Sequence, residues 1–453
     1  MQDSIERLSA SIQNSQMLRL LLVGFLALLL QIPIGMISGL VSERQERRAA
    51  AMHEVSSKWG KVQSITGPAL IIPYIHRWTE STAGGQVARS ETRHAIFLPQ
   101  QLRTHGVIDS EIRSRGIFTV PVYRLRLTME GEFARPSASE LGIEPSAVAW
   151  SRAQLAVGVT DIRAIQQETA VSWNGRNVPF LPGTGAFTDA GAGIHAVVGV
   201  GEGVERFSFS FPLLLNGSTG VYLTPFGQIT AVELQSNYRH PSFQGNWLPV
   251  DRSVSGSSFQ ATWSIPFLGR DYPQAWKAER SMSEAIDGSR FGVELVNPVD
   301  HYRMAERSVK YAGLFILLTF ATVWLIEVLA GVRVHPIQYL MLGGALCLFY
   351  LLELSLSEHI GFPSAYGLAS LAVIGMVAAY SVVVLQSMVR ALVVGTGVGL
   401  LYVYLYVLLM NEDYALVIGS IGLFAILAAI MYATRGVDWY AVGVRGSGTS
   451  RVR

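Results

Sequence analysis

Two acidic residues, Glu327 and Glu353, lie inside long apolar stretches that contain no other charge. A carboxyl group at the centre of a membrane span costs about 2.5 kcal/mol or more, so it tends to face a partner or a cavity. Both residues lie in the outer third of their stretches, three and four residues from the C-terminal end, and near opposite faces of the membrane, where this cost falls. They are candidates for a proton or ion relay; snorkelling or interhelical hydrogen bonding is the alternative that needs no function.

A further pair of chemically active residues follows the stretch that contains Glu353. Glu358 and His359 stand where this stretch leaves the lipid, and an imidazole changes its charge near neutral pH, so the pair is a candidate for a pH-sensitive cap. A polar collar that seats the helix at the interface is the simpler alternative. At the other end, His335 precedes Pro336, and a proline in the first turn is typical of a helix start.

Other chemistry has little support in the sequence. No two of the nine histidines lie within four residues of one another, the single cysteine is Cys347, and no His-Glu-x-x-His or Gly-x-Ser-x-Gly motif occurs. A net charge of +2 gives no field that would gather nucleic acid. We therefore expect no metal, no cofactor, no nucleic-acid partner and no enzymatic activity.

Membrane-spanning helices must position the two intramembrane acids. Half of the residues are hydrophobic and the mean hydropathy is +0.34, which exceeds the value of a typical soluble chain. Each apolar stretch is long enough to cross about 30 Å of hydrocarbon as a helix. The sequence predicts an amphipathic segment at 1–19, an uncleaved anchor at 20–41, and five further spans within 311–433, followed by a basic tail at 434–453. The five spans are Tyr311–Ala330, Ile337–Ser357, Ser364–Gln386, Ala391–Met410 and Tyr414–Ala433.

Residues 42–310 form a charged block between the first and second spans, and the block holds 52 of the 68 charged side chains. A helical start up to about residue 55 leads into strand-like segments. At 117–133, for example, Leu125 and Leu127 alternate with Arg124 and Arg126. We predict a turn at Gly67-Pro68 and helix over 279–310. The predicted fold is a membrane α-helical bundle of six transmembrane helices with a large soluble, β-sandwich-like domain inserted between the first and second helices.

The orientation follows from the short loops, because Lys and Arg mark the cytoplasmic side. Arg333, Arg390 and the tail arginines lie in alternate loops, whereas 358–363 and 411–413 contain no Lys or Arg. This pattern predicts cytoplasmic termini and a β domain on the outer side of the membrane, which is the periplasm in a cell that has one. Basic residues that follow the first span, Arg44 and Arg48 among them, disagree with the rule; we attribute them to a generally charged stretch that also contains Glu43 and Glu46.

Several long motifs give the chain a resemblance to a known family. They include WGKVQSITGPALIIPY at 59–74, SRAQLAVGVTDIRAI at 151–165, HPSFQGNWLP at 240–249, NPVDHYRMAERSVKYAGLFILLTF at 297–320 and FYLLELSLSEHIGF at 349–362. The sequence resembles the CreD family of bacterial inner-membrane proteins. The resemblance implies a periplasmic β domain, a link with cell-envelope integrity and a two-component regulatory system, but no catalytic residues. In or beside these motifs we single out Trp59, Gly60, Gly67, Pro68, Asp161, Arg163, Pro241, Arg270, Pro298, Asp300 and Tyr302.

One position departs from the family pattern, because we expect leucine where this chain has Glu353. The favoured function is a non-enzymatic sensor or scaffold of the inner membrane, whose partners are the bilayer and a lipid, a cell-wall fragment or an envelope protein. The alternative is a transporter or lipid-handling protein that uses Glu327, Glu353 and His359. A water-filled path between the two intramembrane acids would favour transport, and a tightly packed bundle would favour a sensor or scaffold.

Overall fold

The computed structural model describes residues 16–82, 85–185, 187, 192–296, 300–330 and 332–436. The chain divides into two units, which we call the helical unit (1–48 and 299–453) and the β unit (49–298). Most of the predicted amphipathic segment at 1–19 and of the basic tail at 434–453 lies outside the described residues, as does Pro298.

Among the described residues, there are seven longer helices and one short helix. They are α1 (Gln16–Leu29), α2 (Gln31–Trp59), α3 (Ser283–Gly288), α4 (His301–Ala330), α5 (Pro336–Ile360), α6 (Phe362–Leu385), α7 (Met388–Met410) and α8 (Ala415–Thr434). Within the described chain, six helical stretches are long and apolar enough to cross a membrane, with α1 and α2 counted as one stretch from Arg19 to Trp59. The prediction of six membrane helices is confirmed.

The first membrane stretch is interrupted at Leu30, between α1 and α2. Pro33 explains this irregularity, because proline has no N–H to donate to the carbonyl of Leu29. Beyond the apolar residues, α2 continues through the charged segment that follows Ser42 and ends at Trp59. The helical start predicted for this segment is confirmed.

In the part of the β unit that the structure describes, there are seventeen strands. They are β1 (Gln63–Thr82), β2 (Gly85–Phe97), β3 (Gln101–Arg115), β4 (Phe118–Ala134), β5 (Gln154–Val159), β6 (Ala170–Trp173), β7 (Arg176–Pro179), β8 (Leu181–Pro182), β9 (Gly193–Val197), β10 (Arg206–Ser218), β11 (Gly220–Leu223), β12 (Ile229–Ser236), β13 (Pro241–Gly245), β14 (Asp251–Val254), β15 (Phe259–Pro266), β16 (Ala275–Lys277) and β17 (Phe291–Leu295).

These strands form two sheets that share one hydrophobic core. One sheet has the order β13-β17-β11-β1-β5-β9-β8; outside this order, β2 pairs with β1, and β16 pairs with β2. The other sheet has the order β14-β15-β12-β3-β4-β10-β6-β7. Rings from the two sheets meet, as where Trp263 of β15 packs on Phe291 of β17 with centroids 5.6 Å apart. The core draws its buried side chains from both sheets, so the β-sandwich-like prediction is confirmed.

The alternation predicted at 117–133 is present in β4, where Leu125 and Leu127 are buried and Arg124 and Arg126 are exposed. Two local predictions are wrong. Gly67-Pro68 is not a turn between elements but an irregularity inside β1, where the register against β5 shifts between Thr66 and Ala69. Residues 279–310 are not all helical, because Phe291–Leu295 forms β17, which pairs with β11 and β13 in the core.

Candidate functional site

A polar cluster lies in the helical unit where α2 continues beyond the apolar span, α4 begins and α5 ends. We call it the tether cluster, and it consists of Arg44, Arg48, Asp300, Tyr302 and Glu358. Glu358 accepts a hydrogen bond from Arg44 Nη2 at 3.0 Å on Oε2 and one from the Tyr302 hydroxyl at 2.8 Å on Oε1. Its side chain is only 4% exposed, so both oxygens take protein donors in place of water.

Asp300 forms the other half of the tether cluster. Its Oδ2 pairs with Arg48 Nη1 at 2.8 Å, and its Oδ1 accepts the backbone N–H groups of Tyr302 at 3.1 Å and Arg303 at 3.4 Å. Asp300 therefore caps the start of α4. Burial alone would raise the pKa of this carboxyl, but Arg48 and the two N–H donors outweigh it and hold the pKa below its ordinary value. The carboxylate stays charged at neutral pH.

The tether cluster joins the two segments through which the chain enters and leaves residues 49–298. Arg44 and Arg48 are four residues apart on α2, so both side chains lie on one face of that helix. Each pairs with an acid on a different element, Glu358 on α5 and Asp300 before α4. The sequence alone indicates only that these two arginines belong to a generally charged stretch. Their i, i+4 spacing is the feature that predicts a common helix face with partners opposite it.

His359 occupies a different position from its neighbour. It is exposed in the last turn of α5, whereas the carboxylate of Glu358 is directed to Arg44 and Tyr302. Successive residues on a helix differ in direction by about 100°. The structure thus brings Glu358 together with Asp300 and Tyr302, not with the imidazole.

Glu353 lies between α5 and α4 with no exposed surface. Its Oε2 accepts a hydrogen bond from the Ser308 hydroxyl at 2.7 Å, whereas its Oε1 has no partner among the described residues. One turn before it, Phe349 packs against the rings of Tyr366 and Tyr402, with centroids 5.3 and 4.3 Å away. The acid faces a packed, largely aromatic interior.

Glu327 is paired at the other end of α4. Its Oε1 lies 2.6 Å from Arg19 Nη1 and its Oε2 accepts the Tyr339 hydroxyl at 3.0 Å, with 3% of the side chain exposed. Next to it, His335 caps α5, because its Nδ1 accepts the Ile337 N–H at 3.3 Å. A cavity of about 420 Å³ is lined by Arg19, Glu327, His335 and Tyr339, together with Leu22, Val23, Leu26, Arg333, Val334 and Pro336.

The two intramembrane acids are far apart. Glu353 is hydrogen-bonded to Ser308 of α4. Glu327 lies 19 positions after Ser308, which is about 28 Å further along the same helix. Between these ends α4 contributes Phe320, which is fully buried and packs edge-on against Tyr339 at 5.4 Å. Neither carboxyl group contacts the other, and each has its own hydroxyl donor.

Four motif positions of the β unit gather around the end of α2. Trp59 donates from Nε1 to the carbonyl of Tyr123 at 3.2 Å, and the Arg113 guanidinium lies 3.5 Å from the centre of its ring. Asp161 pairs with Arg163 at 3.1 Å and accepts the Lys61 N–H at 3.4 Å. At Gly60, φ is +152° and a Cβ would lie 2.6 Å from the carbonyl oxygen of Asn216.

The remaining motif positions lie elsewhere in the β unit. Gly67, which precedes Pro68 across a cis peptide, donates its N–H to the Thr224 hydroxyl at 3.3 Å, and Pro241 begins β13. The guanidinium of Arg270 is buried and donates to the carbonyls of Pro225 at 2.7 Å and Phe226 at 2.8 Å; burial lowers its pKa. This arginine therefore has the geometry of a residue that holds a loop.

Two other candidate chemistries have limited structural support. Trp263 and Trp276, whose rings could in principle line a ligand pocket, are 2% and 5% exposed and belong to the β core. Within the described part of the chain, no group of three or more His, Cys, Asp or Glu side chains is placed to hold a metal ion.

Two comparisons with known proteins agree. A family model described as inner membrane protein CreD matches residues 15–440. The inner membrane protein CreD of Escherichia coli (strain K12) is 32% identical over 415 residues, which cover 91% of this chain and 91% of that protein.

Proposed function

Since the chain belongs to the CreD family of inner membrane proteins, we propose that it acts as a non-enzymatic sensor or scaffold of cell-envelope integrity. In this proposal the β unit lies in the periplasm and binds an envelope component, and the tether cluster transmits the state of the β unit to the membrane helices. The resemblance to the family implies the envelope role, and the geometry of the helical unit supports the route.

The pairing of Arg44 and Arg48 with Glu358 and Asp300 is the observation that carries the proposal. The two segments that lead to the β unit are far apart in the chain, and besides the cluster a hydrogen bond from Gln45 to Glu306 joins them at 3.3 Å. Ion pairs and the Tyr302 hydroxyl join them to each other and to the end of α5. A displacement of either segment must therefore break charged hydrogen bonds, which gives the cluster two distinct states that a binding event could favour.

Packing around the intramembrane acids supports a sensor or scaffold over a transporter. Glu353 is fully buried beside aromatic rings, and Glu327 is bound by Arg19 and Tyr339 about 28 Å away along α4. A transporter that used both acids would need a hydrated route between them.

A reversible cross-link beside the tether cluster tests the proposal. In a Cys347→Ala background, Gln45→Cys and Glu306→Cys, which join α2 to α4 beside the cluster without removing one of its members, would be bridged in living cells by a short bifunctional methanethiosulfonate, which a reductant later removes. The cells lack their own copy of the gene, and survival under an envelope-damaging detergent is measured. A sensor that works through this cluster loses protection when bridged and regains it after reduction.

Glu43→Cys with Arg47→Cys provides the matched control, because these residues form an exposed ion pair within α2 alone. A bridge between them joins no two elements and should leave protection unchanged. Full protection by the bridged Gln45→Cys/Glu306→Cys protein would favour a rigid scaffold over a sensor. If cells without the protein survived the detergent as well as wild-type cells, the envelope role itself would be wrong.

A further inference from the structure

The cavity beside Glu327 has the chemistry of a ligand site that the proposed function does not use. It has a volume of about 420 Å³ and is enclosed by α1, the end of α4 and the start of α5. Leu22, Val23 and Leu26 give it an apolar wall, and polar side chains converge on it from the other elements. Largely apolar cavities with a few convergent polar groups are typical binding sites.

The charged groups of the cavity favour an anion. Two arginines, Arg19 and Arg333, line it together with one acid, Glu327. Both oxygens of Glu327 already accept hydrogen bonds, from Arg19 and Tyr339, so its charge is largely compensated. Arg333 is exposed and forms no hydrogen bond or ion pair with another residue that the structure describes. The cavity therefore has an excess of positive charge.

Two neighbouring groups add to this preference. Because Nδ1 of His335 accepts the N–H of Ile337, a neutral His335 ring carries its proton on Nε2, which is a donor. The start of α5 also contributes the positive end of a 25-residue helix. These groups match the oxygen acceptors of a phosphate.

The apolar wall identifies the kind of phosphate compound. α1 belongs to a membrane stretch, and Leu21 and Phe25, on the same helix as the cavity residues Leu22 and Leu26, are 63% and 60% exposed. A free phosphate would leave the apolar wall uncovered, whereas a lipid covers it with an acyl chain. We infer that this cavity binds the phosphate headgroup of an anionic phospholipid, held by Arg333 and Arg19, with an acyl chain along Leu22 and Leu26.

Native mass spectrometry of the full chain in detergent tests this site, with phosphatidylglycerol or phosphatidylethanolamine added as probes. The wild type should bind phosphatidylglycerol more tightly. Arg333→Gln should weaken the binding of phosphatidylglycerol about fivefold, which is the effect of one cation near a membrane surface. Leu22→Trp, which fills the cavity from a half-buried position, should abolish the preference.

Each variant has a matched control outside the cavity. Arg390→Gln removes an arginine from the start of α7, and Leu28→Trp enlarges an exposed residue of α1; both should bind as the wild type does. Equal affinity for the two lipids, or equal losses in Arg333→Gln and Arg390→Gln, would overturn the inference. Displacement of the lipid by millimolar inorganic phosphate would assign the site to free phosphate instead and overturn the lipid assignment.

Discussion

At the residue scale, Glu353 is the position where the fold leaves a polar group incompletely bonded. Its carboxyl is fully buried, one oxygen is bonded to Ser308, and the other has no partner among the described residues. An unsatisfied buried polar atom costs about 1–3 kcal/mol. A functional acid could have this cost, and so could an acid that the fold merely tolerates. The two explanations predict different effects of leucine at this position.

We predict that Glu353→Leu stabilises the protein. Leucine is similar in size and has no polar atom to satisfy, while the hydroxyl of Ser308 can bond to a carbonyl of its own helix. The free energy of unfolding should rise by about 1–3 kcal/mol, measured as a higher thermal unfolding temperature in detergent, and envelope protection should be retained.

Glu353→Gln is the control for this prediction, because an amide of the same shape keeps an acceptor for Ser308 and should leave the unfolding temperature near that of the wild type. Loss of envelope protection in the leucine variant, with the protein still folded, would instead identify Glu353 as a functional acid.

A second prediction at this scale concerns His94 in β2. Burial lowers the pKa of His94 from its ordinary value of 6.5; Glu279 opposes this effect and Arg152 adds to it. In the unfolded chain the imidazole binds a proton first, so stability is lost as pH falls from about 6.5 towards the lower folded pKa.

The thermal unfolding temperature of the full chain should fall over this range, and less steeply in His94→Gln. His240→Gln, which removes an exposed histidine, is the control. Identical slopes in wild type and His94→Gln would contradict the assignment.

At the scale of elements, α2 is the element that links the two kinds of structure. It begins in an apolar stretch, carries Arg44 and Arg48 on one face, and ends at Trp59, four positions before β1 begins at Gln63. Motif residues hold its end, with Trp59 bonded to Tyr123 and Asp161 accepting the Lys61 N–H. The passage from helix to strand depends on Gly60.

We predict that Gly60→Ala disturbs this passage. A Cβ at Gly60 would lie 2.6 Å from the backbone carbonyl oxygen of Asn216, and φ is +152°. Because a backbone atom cannot move aside as a side chain can, the free energy of unfolding should fall by about 2 kcal/mol or more. Thermal unfolding of the full chain measures this loss.

Gly116→Ala distinguishes the effect of a steric contact on stability from the effect of backbone conformation. Gly116 also has a positive φ, of +61°, but nothing lies within 4 Å of its Cβ position. Its substitution should cost only the strain of the left-handed conformation, about 1 kcal/mol. Equal losses in the two variants would show that the contact with Asn216 has no effect.

At the scale of the whole molecule, the ion pairs bear on orientation. Every described Lys or Arg of the helical unit near the tether cluster has an acidic partner: Arg44, Arg47, Arg48, Arg303, Arg307 and Lys310. At the opposite helix ends, Arg333, Arg390 and Arg435 form no ion pair with a described residue, and only Arg19 does. The basic residues after the first span therefore have acidic partners that explain their presence, whereas the orientation is argued from the Lys and Arg of the short loops between the later spans.

We predict that the β unit and the α7–α8 loop face the periplasm and that the end of α8 faces the cytoplasm. In a Cys347→Ala background, Ser257→Cys and Asp413→Cys should react with a membrane-impermeant maleimide in intact cells. Gly436→Cys should react only after lysis. All three positions are exposed. If Gly436→Cys were the only variant labelled in intact cells, the protein would have the opposite orientation in the membrane.

Local properties of the sequence were sufficient to predict much of the architecture. Long apolar stretches predicted the six membrane helices, because length and hydropathy are properties of neighbouring residues. Alternation with a period of two predicted β4, since one face of that strand is buried. β17 was missed although Phe291, Val293 and Leu295 alternate with Gly292 and Glu294, because a run of only five residues is too short to be distinguished from the helical segments predicted on both sides of it.

Contacts between distant residues were decided only by the tertiary structure. Arg44 and Glu358 are 314 positions apart, and nothing near either residue identifies the other as its partner. The sequence determined that Glu327 and Glu353 are acids in apolar surroundings; packing decided that Arg19 and Tyr339 bind one and Ser308 the other. A helix sequence defines its faces but not what each face meets, because the neighbour is chosen by the arrangement of all helices together.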